Sequence, residues 1–221
     1  MASHKSKSRQ ARQSIPKAEG DSRDRLLIAG LREFSESGLT GARIERILKH
    51  ANCNIRMIYH HFGSKVGLYR AVLQNAYADI RAYEARVETN TDDPVEGLLR
   101  ILEVTFDYFD QHPQFEGLLR FENSVQGGQL AKSSTIALAF IPMKKAMDTL
   151  IRNGQRSGLF DKELNSVQLY TTIAALSRFH LANAYSLSTL LDADLRSRQW
   201  IAARRQHCLS VLEAYLRSRR T

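Results

Sequence analysis

Residues 38–69 read Gly-Leu-Thr-Gly-Ala-Arg-Ile-Glu-Arg-Ile-Leu-Lys-His-Ala-Asn-Cys-Asn-Ile-Arg-Met-Ile-Tyr-His-His-Phe-Gly-Ser-Lys-Val-Gly-Leu-Tyr. Ile44, Ile47, Leu48 and Ala51 recur at i, i+3, i+4 and i+7, so a short helix carries one apolar stripe. Asn52 interrupts the pattern, and Asn54 is placed to cap a second short helix from its side chain. That helix runs to about His61, with Ile58 and Phe62 inward. Its other side presents Ile55, Arg56, Tyr59 and His60, an unusual surface for a helix of two turns. Two helices joined by a tight turn, the second exposing Arg, His and Tyr, suit insertion into a DNA major groove.

Tyr59-His60-His61-Phe62-Gly63-Ser64-Lys65, followed by Leu68, resembles the signature of the TetR family of bacterial transcriptional regulators. Upstream, Leu27, Ala29, Leu31, Phe34, Ser37 and Gly38 are similar to that family's first helix and its terminating glycine, so the likeness covers about residues 24–73. The chain departs from the pattern at Asn52, where glycine is usual, at Leu48 in place of alanine, and at Arg56 in place of a common glycine. Asn tolerates left-handed backbone, which keeps the turn plausible. The resemblance implies a recognition helix over residues 54–61. Arg56 and Ile55 are expected at base edges, Arg being able to bond guanine in a bidentate way. Asn54, Tyr59, His60, Lys65 and Arg43 are expected mainly at phosphates, and Met57 and His61 complete the DNA-facing set.

Charge is segregated in the same sense. Residues 1–70 hold 14 Lys and Arg against 6 Asp and Glu, while the remainder holds 18 against 17. Nearly all of the net +9 therefore belongs to the segment with the helix-turn-helix, an electrostatic footprint for a phosphate backbone. With 221 residues and 43% apolar content the chain can bury a sizeable core. It has no long apolar run and no signal-peptide pattern, so no membrane association and a cytoplasmic location are expected. Cys53 and Cys208 fit neither a disulfide framework nor metal-ligand spacing.

Residues 1–20 are polar and basic without periodicity, and a disordered arm is expected there. Asp21 or Ser22 opens a first helix that stops at Gly38, so the DNA-reading head spans 21–70. Ser64 caps a fourth helix running to about Tyr83, and Lys65 with its first amides would seat a phosphate. Residues 71–221 form an all-helical body for ligand binding and dimerisation. Asn90-Thr91-Asp92-Asp93-Pro94 marks the clearest break, and Pro94 opens a helix to about Gln111. Pro113 opens another. One long helix from about Leu130 to Asn153, kinked near Pro142, is expected next. Helices over about Leu164–Leu191 and Ser197–Arg217 complete an all-α chain.

The last two helices are apolar on more than one face, so each needs cover on two sides. In TetR-like proteins the final two helices pair with their copies as a four-helix bundle. The resemblance therefore implies a homodimer through Tyr170, Ala174, Leu181, Ile201, Cys208, Leu209 and Leu212, with two-fold symmetry matching a palindromic operator in double-stranded DNA. The segments Arg178-Phe179-His180-Leu181-Ala182-Asn183 and Ala202-Ala203-Arg204-Arg205 are similar to a TetR subgroup controlling breakdown of nitrogen heterocycles such as nicotinate derivatives and pyrimidines.

Seven histidines show no two-His-plus-acid spacing on one helix, and there is no glycine-rich phosphate loop or nucleophile elbow. An enzyme, a bound metal and a cofactor are not expected. Aromatic residues in the body suit a pocket for a small planar molecule, and the likeness to that subgroup implies a nitrogen heterocycle or aromatic acid. Phe106, Phe109, Phe121, Asn123, Arg178, Phe179 and Asn183 are its candidate lining, each also readable as a core or interface residue. The composite expectation is a dimeric repressor that a small ligand releases from DNA. Two alternatives stand beside it: a TetR-like DNA binder without small-molecule control, and a helical interaction module whose basic end contacts RNA or acidic partners.

Overall fold

A computed structural model describes residues 21–85 and 93–218; every regular element in them is helical. The expected arm (1–20) and the Asn90-Thr91-Asp92 part of the break lie outside those residues. In chain order the helices are α1 (Ser22–Gly41), α2 (Ile44–Ala51), α3 (Ile55–Phe62), α4 (Lys65–Glu84), α5 (Pro94–Gln111), α6 (Pro113–Ser124), α7 (Ser134–Ala139), α8 (Ile141–Arg156), α9 (Ser166–Ala182), α10 (Ala184–Leu191) and α11 (Arg198–Ser218). A 3-10 turn over Leu130–Lys132 precedes α7.

Local chemistry accounts for most boundaries. Asp93 caps α5 by accepting from the Val95 amide at 2.8 Å, and Pro94 lies in its first turn, where no amide partner is needed. Asn52 ends α2 at φ 48, the left-handed conformation expected of it. Gly38 interrupts α1 at φ 64, and a Cβ there would meet the Phe121 ring at 2.7 Å. Ser64 caps α4, its Oγ accepting from the Gly67 amide at 3.0 Å.

Two expected long helices are broken. The stretch 130–153 divides into the 3-10 turn, α7 and α8, because Pro142 in the first turn of α8 cannot donate to a preceding helical carbonyl. The stretch 164–191 divides at Asn183, whose side-chain amide bonds the Phe179 carbonyl at 2.8 Å and competes for continuation of the helix. Neither Asp21 nor Asn54 makes a side-chain cap; their helices start from extended backbone alone.

Two hydrophobic cores result. The first joins Leu26, Phe34, Ile47, Ile58, Leu68 and Tyr69 of the head to Tyr108, Phe109, Phe115 and Leu118 of α5 and α6. The expected boundary at 70–71 falls inside α4, and this core runs across it. The second holds Leu98, Phe106, Met147, Phe160, Ile173, Cys208, Leu212 and Leu216. Cys208 and Leu212 are therefore inside the subunit, 0% and 1% exposed, and not on a face open to a partner. Leu181, Ile201 and Leu209 also pack against these cores from partly buried positions. The amphipathic pattern marked these residues as buried correctly, but for the α11 residues α5 and α9 of the same chain supply the cover.

Arg205 clamps α11 to α5 with a two-pronged bond to Asp107, Nε to Oδ1 at 2.7 Å and Nη2 to Oδ2 at 2.9 Å. Leu212→Glu would bury an unpaired carboxylate costing several kcal/mol. The expected outcome is loss of the folded subunit, seen as a collapse of the circular-dichroism melting temperature rather than a stable monomer.

Candidate DNA-recognition face and effector groove

The recognition helix is held from three sides. Ile58 of α3 is fully buried in the head core, and Met57 and Phe62 pack against that core. His61 Nε2 lies 2.8 Å from Ser22 Oγ at the start of α1. Met57 and His61, expected among the DNA-facing residues, therefore turn inward, since positions 57, 58, 61 and 62 share the helix face packed on α1 and α4. Arg25 Nε donates to the Ala51 carbonyl at 2.9 Å, which fixes the end of α2 against α1.

What remains outward is compact. Ile55 is 45% and Tyr59 57% exposed, and Asn54, Arg56 and His60 are exposed beside them. An apolar Ile at such exposure suits contact with a thymine methyl or sugar. Arg43, at the start of α2, is exposed; Lys65 is half-buried, its Nζ near the Thr40 carbonyl at 3.5 Å.

A buried carboxylate positions this region, and sequence reasoning missed it. Glu33 of α1 is 5% exposed; its Oε1 accepts from the Arg43 amide at 2.7 Å and from Arg46 Nη2 at 2.7 Å. Burial pushes the Glu33 carboxyl up, but these donors outweigh it and leave the group below its ordinary value. The fixed charge anchors the N-terminus of α2. Its sequence signal is an acid one residue from Phe34, inside an apolar stripe.

Above the head, α6 and α9 enclose a groove of about 690 Å³. Glu116, Arg120 and Asn123 of α6 form one wall; Tyr170, Ala174, Arg178 and Phe179 of α9, with Asn183, form the other. Four of the expected ligand residues, Asn123, Arg178, Phe179 and Asn183, thus meet here. Three do not. Phe106 stacks on His180 with centroids 5.1 Å apart in the second core, Phe109 lies in the first, and Phe121 packs over Gly38. Large aromatics are the best core fillers, so the pattern that marked them could not separate cavity from core. Tyr170 and Ala174, assigned to the dimer interface, line the groove. His180 is 2% exposed, and burial, then the nearby Arg204 charge, depress it to about 4, so it stays neutral.

Two contacts tie the groove to α4. Arg81 donates to the Tyr170 hydroxyl at 3.0 Å and pairs with buried Glu84, whose carboxyl burial pushes up to about 7 despite Arg81 beside it. Tyr69 of α4 donates to Glu122 of α6 at 2.8 Å. Among the described residues no cluster of three or more His, Cys, Asp or Glu could hold a metal, and no helix is long and apolar enough to cross a membrane.

Comparison with known proteins bears on this head and body together. Residues 26–72 match the family of bacterial regulatory proteins of the tetR type, and residues 94–212 match the tetracyclin repressor-like C-terminal domain. The chain belongs to the TetR family. It is 36% identical to the HTH-type transcriptional repressor NicS of Pseudomonas putida over 80% of this chain and 84% of that protein. It is 28% identical to the HTH-type transcriptional repressor SCO4008 of Streptomyces coelicolor over 70% of this chain and 76% of that one. Among solved structures it resembles the regulator SCO4942 of Streptomyces coelicolor, with TM-score 0.66 and 26% identity over 88% of this chain and 98% of that chain. As a TetR-family member it is a DNA-binding transcriptional regulator, of a family in which ligand control is typical. Residues 178–183 and 202–205 carried the likeness to a subgroup. In the structure they divide among the groove (Arg178, Phe179, Ala182, Asn183), the packed interior at His180, and α11, where Ala202 and Ala203 are exposed and Arg205 is partly buried against Asp107.

Arg56→Ala should relax base preference and cost about 1–3 kcal/mol at the operator with little effect on non-specific binding. Competition binding against random duplex is the check; an equal loss on both would make Arg56 a phosphate contact.

Proposed function

We propose that the protein is a homodimeric repressor that holds a palindromic operator through two copies of α3 and releases it when a small organic molecule fills the groove between α6 and α9. The observation that carries this reading is the outward set Asn54, Ile55, Arg56, Tyr59 and His60 on a helix pinned by buried Ile58, at the basic end of the chain. Arg56 and Ile55 read base edges. Asn54, Tyr59, His60, Arg43 and Lys65 hold phosphates, which fix register but carry no sequence information. The name repressor follows NicS and SCO4008, the similar regulators.

The head (21–70) and body (71–221) act as separate functional units coupled mechanically. Groove residues sit on α6 and α9, and the bonds Tyr170–Arg81 and Glu122–Tyr69 connect those helices to α4. A ligand that shifts either wall therefore moves α4 and with it the spacing of the two heads. By linkage, operator binding weakens ligand binding by the same factor. The ligand is a flat organic molecule, a nitrogen heterocycle or aromatic acid, that fits between Tyr170 and Phe179.

The dimer forms through the outward faces of α9 and α11. Val167 on α9, and Val211 and Tyr215 on α11, are 63%, 40% and 36% exposed. Exposed Ala202, Ala203 and Ala214 lie among them. Small and apolar residues on two adjacent helices give a smooth surface that a copy can meet by two-fold symmetry. This replaces the inward set Cys208 and Leu212.

Footprinting on DNA flanking the protein's own gene should reveal an inverted repeat, with duplex DNA preferred over RNA of the same sequence; preference for RNA would defeat the reading. Val211→Glu or Ala202→Glu should give a monomer by sedimentation with an unchanged melting temperature and lost operator affinity. A variant that remains dimeric would move the interface elsewhere.

A further inference from the structure

We propose that the groove between α6 and α9 takes a small organic acid that carries, besides its carboxylate, an N–H or O–H donor: Arg178 and Arg120 hold the acid end and Glu116 accepts from the donor. This rests on the groove being the effector site and specifies what that site recognises.

The starting point is an imbalance between two carboxylates on one helix. Glu122 has both oxygens filled, Oε1 by the Tyr69 hydroxyl and Oε2 by the amides of Gln129 and Leu130. Glu116, one and a half turns earlier on α6, is 8% exposed and has one oxygen filled: Oε2 accepts from Arg178 Nε at 2.9 Å. Its Oε1 is closed to solvent and has no partner. A buried carboxylate oxygen without a donor is costly, and Glu116 lines the groove, so a donor arriving from that side removes the cost. Torsion about the terminal carboxyl bond of Glu is soft and moves both oxygens together, so a turn that opens Oε1 to the groove is one that the flexible Arg178 side chain can follow.

The remaining polar atoms fix the other end of the ligand. Arg178 engages Glu116 through Nε, so its terminal nitrogens are not spent on that bond, and the residue lines the groove. Arg120 is exposed, with its guanidinium 5.3 Å from the Phe121 centroid and no ion pair among the described residues. Two arginines against one glutamate leave the groove cationic, which favours an anion. Asn123 and Asn183 each spend one side-chain N–H on the carbonyls of Leu119 and Phe179, so each adds an acceptor oxygen and one remaining N–H. An acid without a donor leaves Glu116 Oε1 orphaned, and a donor without an acid leaves the arginines uncompensated. A molecule with both satisfies each group.

Isothermal titration of the full chain with 3- and 4-hydroxybenzoate, their methoxy counterparts, benzoate and phenol tests this. At least one hydroxy acid should bind about tenfold or more tightly than its methoxy counterpart and benzoate, as a hydrogen bond to a charged group warrants; phenol should not bind. Glu116→Gln should bring the hydroxy-to-methoxy ratio towards one, and Arg178→Gln should weaken every acid. The ratio is taken within each variant, so a general loss of stability cancels. Equal binding of the hydroxy and methoxy acids, an unchanged ratio in Glu116→Gln, or no binding by either acid overturns the proposal. Ala174→Trp, with its fold checked by melting, fills the groove and separates the two claims. Hydroxy-acid binding that survives it defeats the groove as effector site. Binding that it abolishes, with a wild-type ratio of one, keeps the groove and rejects the ligand class.

Discussion

The carboxylate of Glu122 is the constraint on which the arrangement of head and body depends. It is 1% exposed, and an ion so buried is tolerated only if its lone pairs are filled. Tyr69 fills one oxygen from α4, and the chain after α6 must fold back so that two consecutive amides, Gln129 and Leu130, fill the other. One group thereby fixes the height of α4 against α6 and the path of the 126–133 connection. Arg70 and Gln74 of α4 reinforce this from the surface, bonding Gln129 and Ser133. A hydrophobic contact alone would allow α4 to slide on α6; directional bonds to a buried charge do not.

This makes α6 the element shared by every functional part. One side presses on α1 so closely that a Cβ at Gly117 would lie 2.5 Å from the Ser35 carbonyl oxygen, while Phe121 sits over the left-handed Gly38. The opposite side carries Glu116 and Asn123 into the groove. A displacement of α6 by a bound molecule reaches the head by backbone contact through α1 as well as through Tyr69 and α4. Packed interiors transmit such shifts because they are close to incompressible.

Glu116 and Glu122 of α6 and Glu33 of α1 also show where the sequence could be read further. Glu33, Glu116 and Glu122 each stand within an apolar helical run, beside Phe34, Phe115 and Phe121. A lone acid in such a run is either exposed on the far side of the helix or buried with partners, and periodicity does not distinguish these. All three are buried, and their partners are 10, 62 and 53 residues away, Arg43, Arg178 and Tyr69. No local pattern can reveal a partner at such distance.

The sequence by itself determined the helical class, the two short helices of the DNA-reading motif with the left-handed Asn52 between them, the cap at Ser64, the helix opened by Pro94, and the exposed Ile55-Arg56-Tyr59-His60 surface. Each of these is set by interactions within a few residues: a periodic stripe, a capping oxygen, a residue tolerant of positive φ. The tertiary structure alone decided which apolar faces cover one another. Leu212 and Cys208 face α5 and α9 of their own chain, Phe106 and Phe109 fill cores, and Tyr170 and Ala174 border the groove. Burial is a property of a residue's own pattern, whereas the identity of the covering surface depends on how eleven described helices are arranged in space. That arrangement is fixed by long-range bonds to buried charges, which leave no periodic trace in the chain.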